Sequence, residues 1–257
     1  MIRFFFPILS LSLVLIGCSP NGGDSLDVQK VFSSQTTVIQ YEVDYMKGAE
    51  PFVGETNSGD EIWNFLKNNV TALFQSTKSV TVPTTLPQMA EIPAGGKNYT
   101  KSELLELAEI HRNNPPLKDG TATIYILYVD GYFVESAKTK EDVLGVSFGD
   151  TGVIAMFKPA ILASSFSSEL LGKFIEQSVL IHESGHSLGL VNNGLDLTSA
   201  HQDPEHGAHC TNELCTMYYL NEGVKDLIEF LARKGAQSTE TIIFGQECID
   251  DAVAAIH

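Results

Sequence analysis

Positive charge is what this chain has least of: 16 Lys and Arg stand against 32 Asp and Glu, a formal net charge of -16. Phosphate backbones and anionic lipid surfaces repel such a balance. Nucleic acid is therefore excluded as a partner, and so is direct adhesion to a membrane surface. Cysteine is also scarce, with 4 in 257 residues. Apart from Cys18 near the N-terminus there are Cys210, Cys215 and Cys248, and one of these is left over whichever disulfide forms. Long apolar runs are missing after residue 16, so no second membrane-spanning segment is expected, and there is no internal repeat. What remains is a stretch of roughly 220 residues, the ordinary size of one monomeric globular domain with a sizeable core.

The N-terminus is read from its pattern. Arg3 precedes an apolar run from Phe4 to Ile16, too short to cross a bilayer as a stable helix and suited to a signal peptide. It ends in Leu15-Ile16-Gly17-Cys18, which resembles the lipobox of bacterial lipoproteins. The resemblance implies removal of residues 1–17, acylation of Cys18 with palmitate among the chains, and attachment to a membrane through that lipid alone. Ser19 rather than aspartate follows the cysteine. In lipoproteins of double-membrane bacteria this implies sorting to the outer membrane of the cell envelope, on its periplasmic or its exterior face. Residues 18–34 are rich in Ser, Gly, Asn and Asp and read as a flexible tether, with residues 35–257 as the folded domain. Export places the three later cysteines in a compartment that permits disulfides.

The most informative run is HESGHSLG at residues 182–189. His182 and His186 are four apart, so on a helix both imidazoles project from one face about one turn apart. That spacing lets two neutral nitrogens share a zinc ion, while Glu183 points to the side, where a carboxylate can act as general base on an attacking water. Leu170, Leu171, Phe174, Ile175, Val179, Leu180 and Ile181 recur at helical spacing ahead of the motif, which makes the helix a buried one. Two histidines and a glutamate on a buried helix need partners, because unpaired buried polar groups are costly. Gly189 then ends the helix, where the chain must turn sharply if a third ligand is to return to the metal.

Elsewhere the pattern predicts strands over 37–46, 121–134 and 152–157. Helices are expected over 60–75, from Thr100 to about 113, and over 168–188, 222–233 and 246–256. Thr100 with Glu103 makes a capping box, and a Pro- and Thr-rich loop is expected over 76–99. This order is α+β: a single domain with a small mixed sheet, the long motif helix behind it, and a mostly helical C-terminal part.

A catalytic zinc usually takes three protein ligands and keeps one position open. In the metzincin pattern HExxHxxGxxH the third histidine follows the glycine by three residues, and here Asn192 stands there. Further on comes HCTNELCTM, that is His209-Cys210, four residues, Cys215, one residue, Met217. This resembles the archaemetzincin signature, in which the third histidine is followed at once by Cys, then four residues, then Cys-x-Met. The resemblance spans residues 182–217 across an insertion of about 16 residues. It implies a metzincin-like, twisted mixed sheet and one catalytic zinc held by His182, His186 and His209. It further implies Glu183 as catalytic base, Met217 as the apolar floor beneath the metal, and Tyr219 as a second catalytic residue at the oxyanion. A peptide or protein substrate would lie extended along an edge strand, for which residues 152–157 are the candidate. The later CxxC with which archaemetzincins hold a structural zinc has no match apart from Cys248, so that ion does not carry over with the signature.

The insertion, VNNGLDLTSAHQDPEHGA, supplies rivals for the third ligand in His201, Asp203, Glu205 and His206. Glu205 sits beside Pro204 and near Gly207, in what reads as a loop. Taken together, these residues imply a zinc-dependent endopeptidase on a lipid tether, working by Glu-assisted attack of water on a peptide bond. The alternative is a lipid-anchored binding module whose zinc is structural or whose peptidase activity is lost. Asn192 favours that alternative, and the intact Glu183 opposes it.

Overall fold

The computed structural model describes residues 25–166, 168–219, 224–235 and 238–257. The expected signal peptide, Cys18 and the first part of the expected tether lie outside the described residues. Apolar side chains ahead of the first strand decide where the domain begins. Leu26, Val31 and Phe32 are buried, and Asp27 caps a short helix, α1 (Val28–Phe32), by accepting from the Lys30 N–H. The tether expected over 18–34 therefore runs too far: from Leu26 onward the chain belongs to the domain, because these side chains have a core to enter.

β1 (Val38–Met46) follows where alternation placed a strand. α2 (Asn64–Leu73) buries Phe65, Leu66, Val70 and Leu73 on one face. The stretch over 76–99 is more than a loop, since β2 (Ser79–Thr81) and β3 (Ala90–Ile92) both lie parallel to β1. Strands of three residues carry too little alternation to be read from sequence. β4 (Tyr99–Thr100) leads into α3 (Lys101–His111), whose capping box forms as expected, with the Thr100 N–H donating to Glu103 Oε2 at 2.8 Å.

β5 (Leu117–Lys118) pairs antiparallel with β6 (Thr121–Val129), which is buried along nearly its whole length. The long strand expected over 121–134 is broken after Val129. A turn at Asp130 and Gly131 separates it from β7 (Phe133–Glu135), which forms a hairpin with β8 (Lys138–Lys140). A Cβ on Gly131 would overlap the Lys97 carbonyl, so the crossing admits glycine alone. β9 (Gly145–Ser147), β10 (Val153–Phe157), α4 (Lys158–Ser164) and α5 (Glu169–Ser187) come next. α6 (Val224–Lys234) and α7 (Gln246–Ala254) make the C-terminal part helical.

The main sheet runs β2-β1-β6-β10-β9, with β3 also on β1 and β5 also on β6. β1, β6 and β10 are mutually parallel, while β9 is antiparallel to β10. The sheet is thus mixed, and the fold is α+β. One expectation is corrected: residues 152–157 do not form the edge, because β10 is enclosed between β6 and β9. The edge is Gly145–Ser147. α5 packs on β9 and β10 and against α2 and α4. Among the described residues, no helix is long and apolar enough to cross a membrane.

Fifteen of the 19 residues of α5 are buried, so its buried carboxylates and imidazoles need partners inside the protein, although the side chains of Gln177 and Ser178 make no hydrogen bond. Glu176 is fully buried; it accepts from Lys158 Nζ at 2.7 Å and from the Phe52 N–H at 2.7 Å. Burial raises its carboxyl above the ordinary range, against the pull of the Lys158 charge. Lys158→Ala would strand that carboxylate and is expected to cost about 3–5 kcal/mol, whereas a double change to well-packed Met and Leu should cost far less. Urea unfolding separates the two cases, and a negligible loss in Lys158→Ala would contradict the pairing.

Candidate metal centre

α5 delivers His182 and Glu183 together and His186 one turn later, then stops at Gly189, whose φ is +81°. A Cβ on Gly189 would stand 2.7 Å from Val28 Cγ1, so the buried α1 segment closes over the turn and only glycine fits. The chain doubles back through the insertion, which is stitched by main-chain bonds. The His209 carbonyl accepts from the Asp203 N–H at 2.7 Å, and the His201 carbonyl from the Thr211 N–H at 2.8 Å. This returns His209 to the helix.

The ring nitrogens of His182, His186 and His209 lie within 4.8 Å of one another. His182 Nε2 and His186 Nε2 are 3.1 Å apart. Two ligands of one tetrahedral zinc, bound at ~2.0–2.1 Å, would stand a comparable distance apart. His182 Nδ1 lies 2.7 Å from the Thr216 carbonyl, and His209 Nδ1 lies 2.7 Å from the His206 carbonyl. A carbonyl only accepts, so both Nδ1 atoms carry the proton and both Nε2 atoms present lone pairs. That is the tautomer a cation requires. Met217 is fully buried with its sulfur against Gly185, between the two helix histidines, and any Cβ at Gly185 would overlap it. The Glu183 carboxylate is nearly buried, and its Oε2 accepts from the Ser147 N–H at 2.7 Å. Ser147 Oγ and Ser187 Oγ, 2.8 Å apart, tie the sheet edge to the helix beside it.

The rivals for the third position go elsewhere. His206 Nδ1 is 2.8 Å from Asp203 Oδ2, and this bond holds the Asp203 carboxyl below its ordinary range. Glu205 is exposed, and Asn192 donates to Gln202 at 3.1 Å. Tyr219 stacks face to face on the His206 ring, with centroids 3.6 Å apart and planes 6° from parallel.

His201 is the surprise. It is buried with Cys210 and Cys248, their ligating atoms within 4.8 Å of one another, and Cys215 Sγ lies 3.5 Å from Cys248 Sγ. That gap is well beyond a disulfide bond of ~2.05 Å. His201 Nδ1 points at Cys210 Sγ from 3.3 Å, while its Nε2 is 2.7 Å from Asp251 Oδ2. The other Asp251 oxygen accepts from the Thr198 N–H at 2.6 Å and from its hydroxyl at 2.7 Å. Hydrogen bonds from Cys215 and Cys248 hold the Cys210 thiol far below its ordinary range, while burial raises Cys215. Burial pulls His201 down, but the bonds to Cys210 and Asp251 outweigh it and raise the ring. His201, Cys210 and Cys248, with Cys215 Sγ beside Cys248 and the Asp251 carboxylate behind the imidazole, are donors of the type that hold a structural zinc. The signature implies one catalytic ion and pairs these cysteines with a later CxxC; here His201 of the insertion stands in a cluster with Cys210 and Cys248. An odd count of three cysteines, wrong for disulfides and right for a Cys3His site, was the available signal.

Around Glu183 the surface opens on two sides. A cavity of about 250 Å³ runs from His182 and Glu183 toward the β7–β8 hairpin. A second, of about 330 Å³, is lined by Ser147, His186, Asn193 and Ala208 among others.

No protein-family model matches this chain, and no curated protein does. Among solved structures, it is similar to an archaemetzincin from Methanopyrus kandleri, with a TM-score of 0.50 at 11% identity over 86% of this chain and 96% of that one. The fold is archaemetzincin-like. A zinc-dependent peptidase from Methanocorpusculum labreanum follows more loosely, with a TM-score of 0.48 at 15% identity over 83% and 99% of the two chains. An archaemetzincin from Archaeoglobus fulgidus, complexed with malonate, gives 0.42 at 15% identity over the same shares. The archaemetzincin-like framework and the two donor clusters make a specific forecast for metal content by mass spectrometry. The protein should carry two zinc ions, and His209→Ala and His201→Ala should each lose one. Because a Cys-rich site is coupled to folding, His201→Ala should also melt at lower temperature. Full zinc content in His209→Ala would remove that residue from the centre.

Proposed function

We propose that this chain is a zinc-dependent endopeptidase, acting as a monomer on peptide or protein substrates and held at the cell envelope by lipid on Cys18. The observation that carries the reading is the meeting of His182, His186 and His209 beside the Glu183 carboxylate, under an open strand edge. Three neutral imidazoles suit a zinc that keeps one position for solvent, whereas closed structural sites fill all four positions. When bound, zinc supplies a Lewis acid that polarises a scissile carbonyl and lowers the pKa of water.

The rest falls to the chain. The Thr216 and His206 carbonyls hold the protons of His182 and His209 on Nδ1, leaving the opposite nitrogens to the metal. The Ser147 N–H steadies the Glu183 carboxylate, which takes a proton from the attacking water and delivers it to the leaving amine. β9 offers its other outward groups, the Gly145 N–H and the Gly145 and Ser147 carbonyls, to an extended peptide, which adds to the sheet as a further strand. Tyr219, its ring stacked on His206, would donate from its hydroxyl to the developing oxyanion. A second zinc at His201, Cys210, Cys215 and Cys248 would hold the insertion in shape. The lipobox resemblance supports export and acylation at Cys18, and Ser19 supports a place at the outer membrane.

Glu183→Gln should lower kcat/KM on peptides by at least about 10²-fold, the usual scale for a general base, with zinc content unchanged. Cleavage at the wild-type rate would remove the mechanism. Absence of turnover in the zinc-loaded wild type would leave the binding-module alternative. Cys18→Ala should abolish palmitate labelling in cells and release the protein from the membrane fraction; retained labelling would refute the anchor.

A further inference from the structure

We infer that the substrates of this cleft are polypeptides that are themselves membrane-anchored, cut in the stretch of chain that stands close to the bilayer. The inference rests on the peptidase reading and on the lipid at Cys18, and adds to them the class of substrate. It is carried by the place where the folded domain takes up its N-terminal chain. Leu26 is buried, and its N–H donates to the Asp150 carbonyl at 2.5 Å. Its side chain lies against Gly152, where a Cβ would stand 3.5 Å from Leu26 Cδ2. Two residues on, Val28 packs against the chain that leaves α5. A Cβ on Gly189 would stand 2.7 Å from Val28 Cγ1, and one on Gly194 3.3 Å from Val28 Cγ2. Gln29 Nε2 then donates to the Gly194 carbonyl at 2.9 Å.

Both of these contacts are with the walls of the cleft. The cavity of about 330 Å³ that reaches Glu183 and His186 is lined by Gly149, the neighbour of Asp150, and by Asn193, the neighbour of Gly194. The N-terminal chain therefore enters the domain between two loops that border the cleft. With consecutive Cα atoms ~3.8 Å apart, that entry point stands about 10 Å from the cavity wall. Only the residues from 19 to 25 separate Cys18 from Leu26. Whatever their conformation, this stretch reaches no further than about 28 Å, at ~3.5 Å for each step along the chain. The domain cannot lengthen it by releasing α1, because Val31 and Phe32 are fully buried. The cleft is thus confined to within about 40 Å of the lipid, the length of roughly a dozen residues of extended chain. The net charge of -16 keeps the domain from lying flat on an anionic surface, so the cleft stays open to a strand beside the bilayer. A tether this short raises the effective concentration of bonds in the same layer and does nothing for those beyond it.

The test uses the zinc-loaded, acylated full chain on vesicles of phosphatidylethanolamine and phosphatidylglycerol, with one quenched peptide sequence presented in three ways. Two forms are diacylated and carry the cleavable sequence on a stiff Pro-rich spacer of about 6 or about 40 residues, roughly 20 or 120 Å at ~3.1 Å per residue. The third form is free in solution. At equal surface density the near form should be cut faster than the far form by on the order of tenfold or more. A Pro-rich insert of about 40 residues between Gly22 and Gly23 should abolish that preference and leave cleavage of the free peptide unchanged. Equal rates on the near and far forms, or a preference that survives the insert, would overturn the inference while cleavage of the free peptide leaves the peptidase reading standing. Should the wild type cleave nothing, the peptidase reading fails separately, and binding of the two anchored forms to vesicle-bound Glu183→Gln decides: tighter binding of the near form supports the placement, and equal binding overturns it. A wild-type chain that takes up no palmitate in cells would remove the anchor and this inference with it, and would leave the metal centre untouched.

Discussion

A helix that runs through the core carrying two histidines and two buried glutamates obliges the rest of the chain to supply them with partners. Solvent cannot do so, because α5 is covered on nearly every side. Lys158 comes from the helix just before it to meet Glu176. The Thr216 carbonyl comes from the far side of the insertion to meet His182, and the Ser147 N–H comes from the sheet edge to meet Glu183. In the proposed mechanism the Thr216 carbonyl also sets a tautomer and the Ser147 N–H also aims a base. The cost of burying polar groups is thus what assembles the site.

The two donor clusters are joined by the covalent chain. His209 belongs to one and Cys210, the next residue, to the other, while Cys215 directly precedes the Thr216 carbonyl that accepts from His182. A cation gathered by His201, Cys210, Cys215 and Cys248 would pin both ends of this turn. It would hold His209 and Thr216 at the distances the imidazole trio needs. Asp251 extends the chain of contacts to α7, and its bonds to Thr198 bring in the start of the insertion. The insertion that separates this chain from the archaemetzincin signature would therefore supply a donor of its own, His201, to such a cation.

The motif helix, its glycine stop, the capping box at Thr100 and the central strand were legible because each is written in contiguous residues at one period. His209 was reachable because its neighbours Cys210, Cys215 and Met217 keep a recognisable spacing. The sheet edge was not, since Gly145–Ser147 is three residues long and its meaning lies in what it packs against. The break at Gly131 was equally hidden, because the clash that requires glycine comes from Lys97, distant in sequence. His201 and Asp251 are 50 residues apart, and nothing local marks either as belonging with a cysteine cluster. Leu26, Val31 and Phe32 were masked by the polar residues around them, which gave the segment the composition of a linker.

The central claim is that three imidazoles share one cation next to the Glu183 carboxylate. Anomalous diffraction at the zinc edge, from crystals grown with zinc, tests it most directly. The account requires a peak within bonding distance of Nε2 of His182, His186 and His209, with Glu183 outside the inner ligand set. A peak bound by only two of those histidines, or one ligated by Asp203, Glu205 or His206 instead, would contradict it.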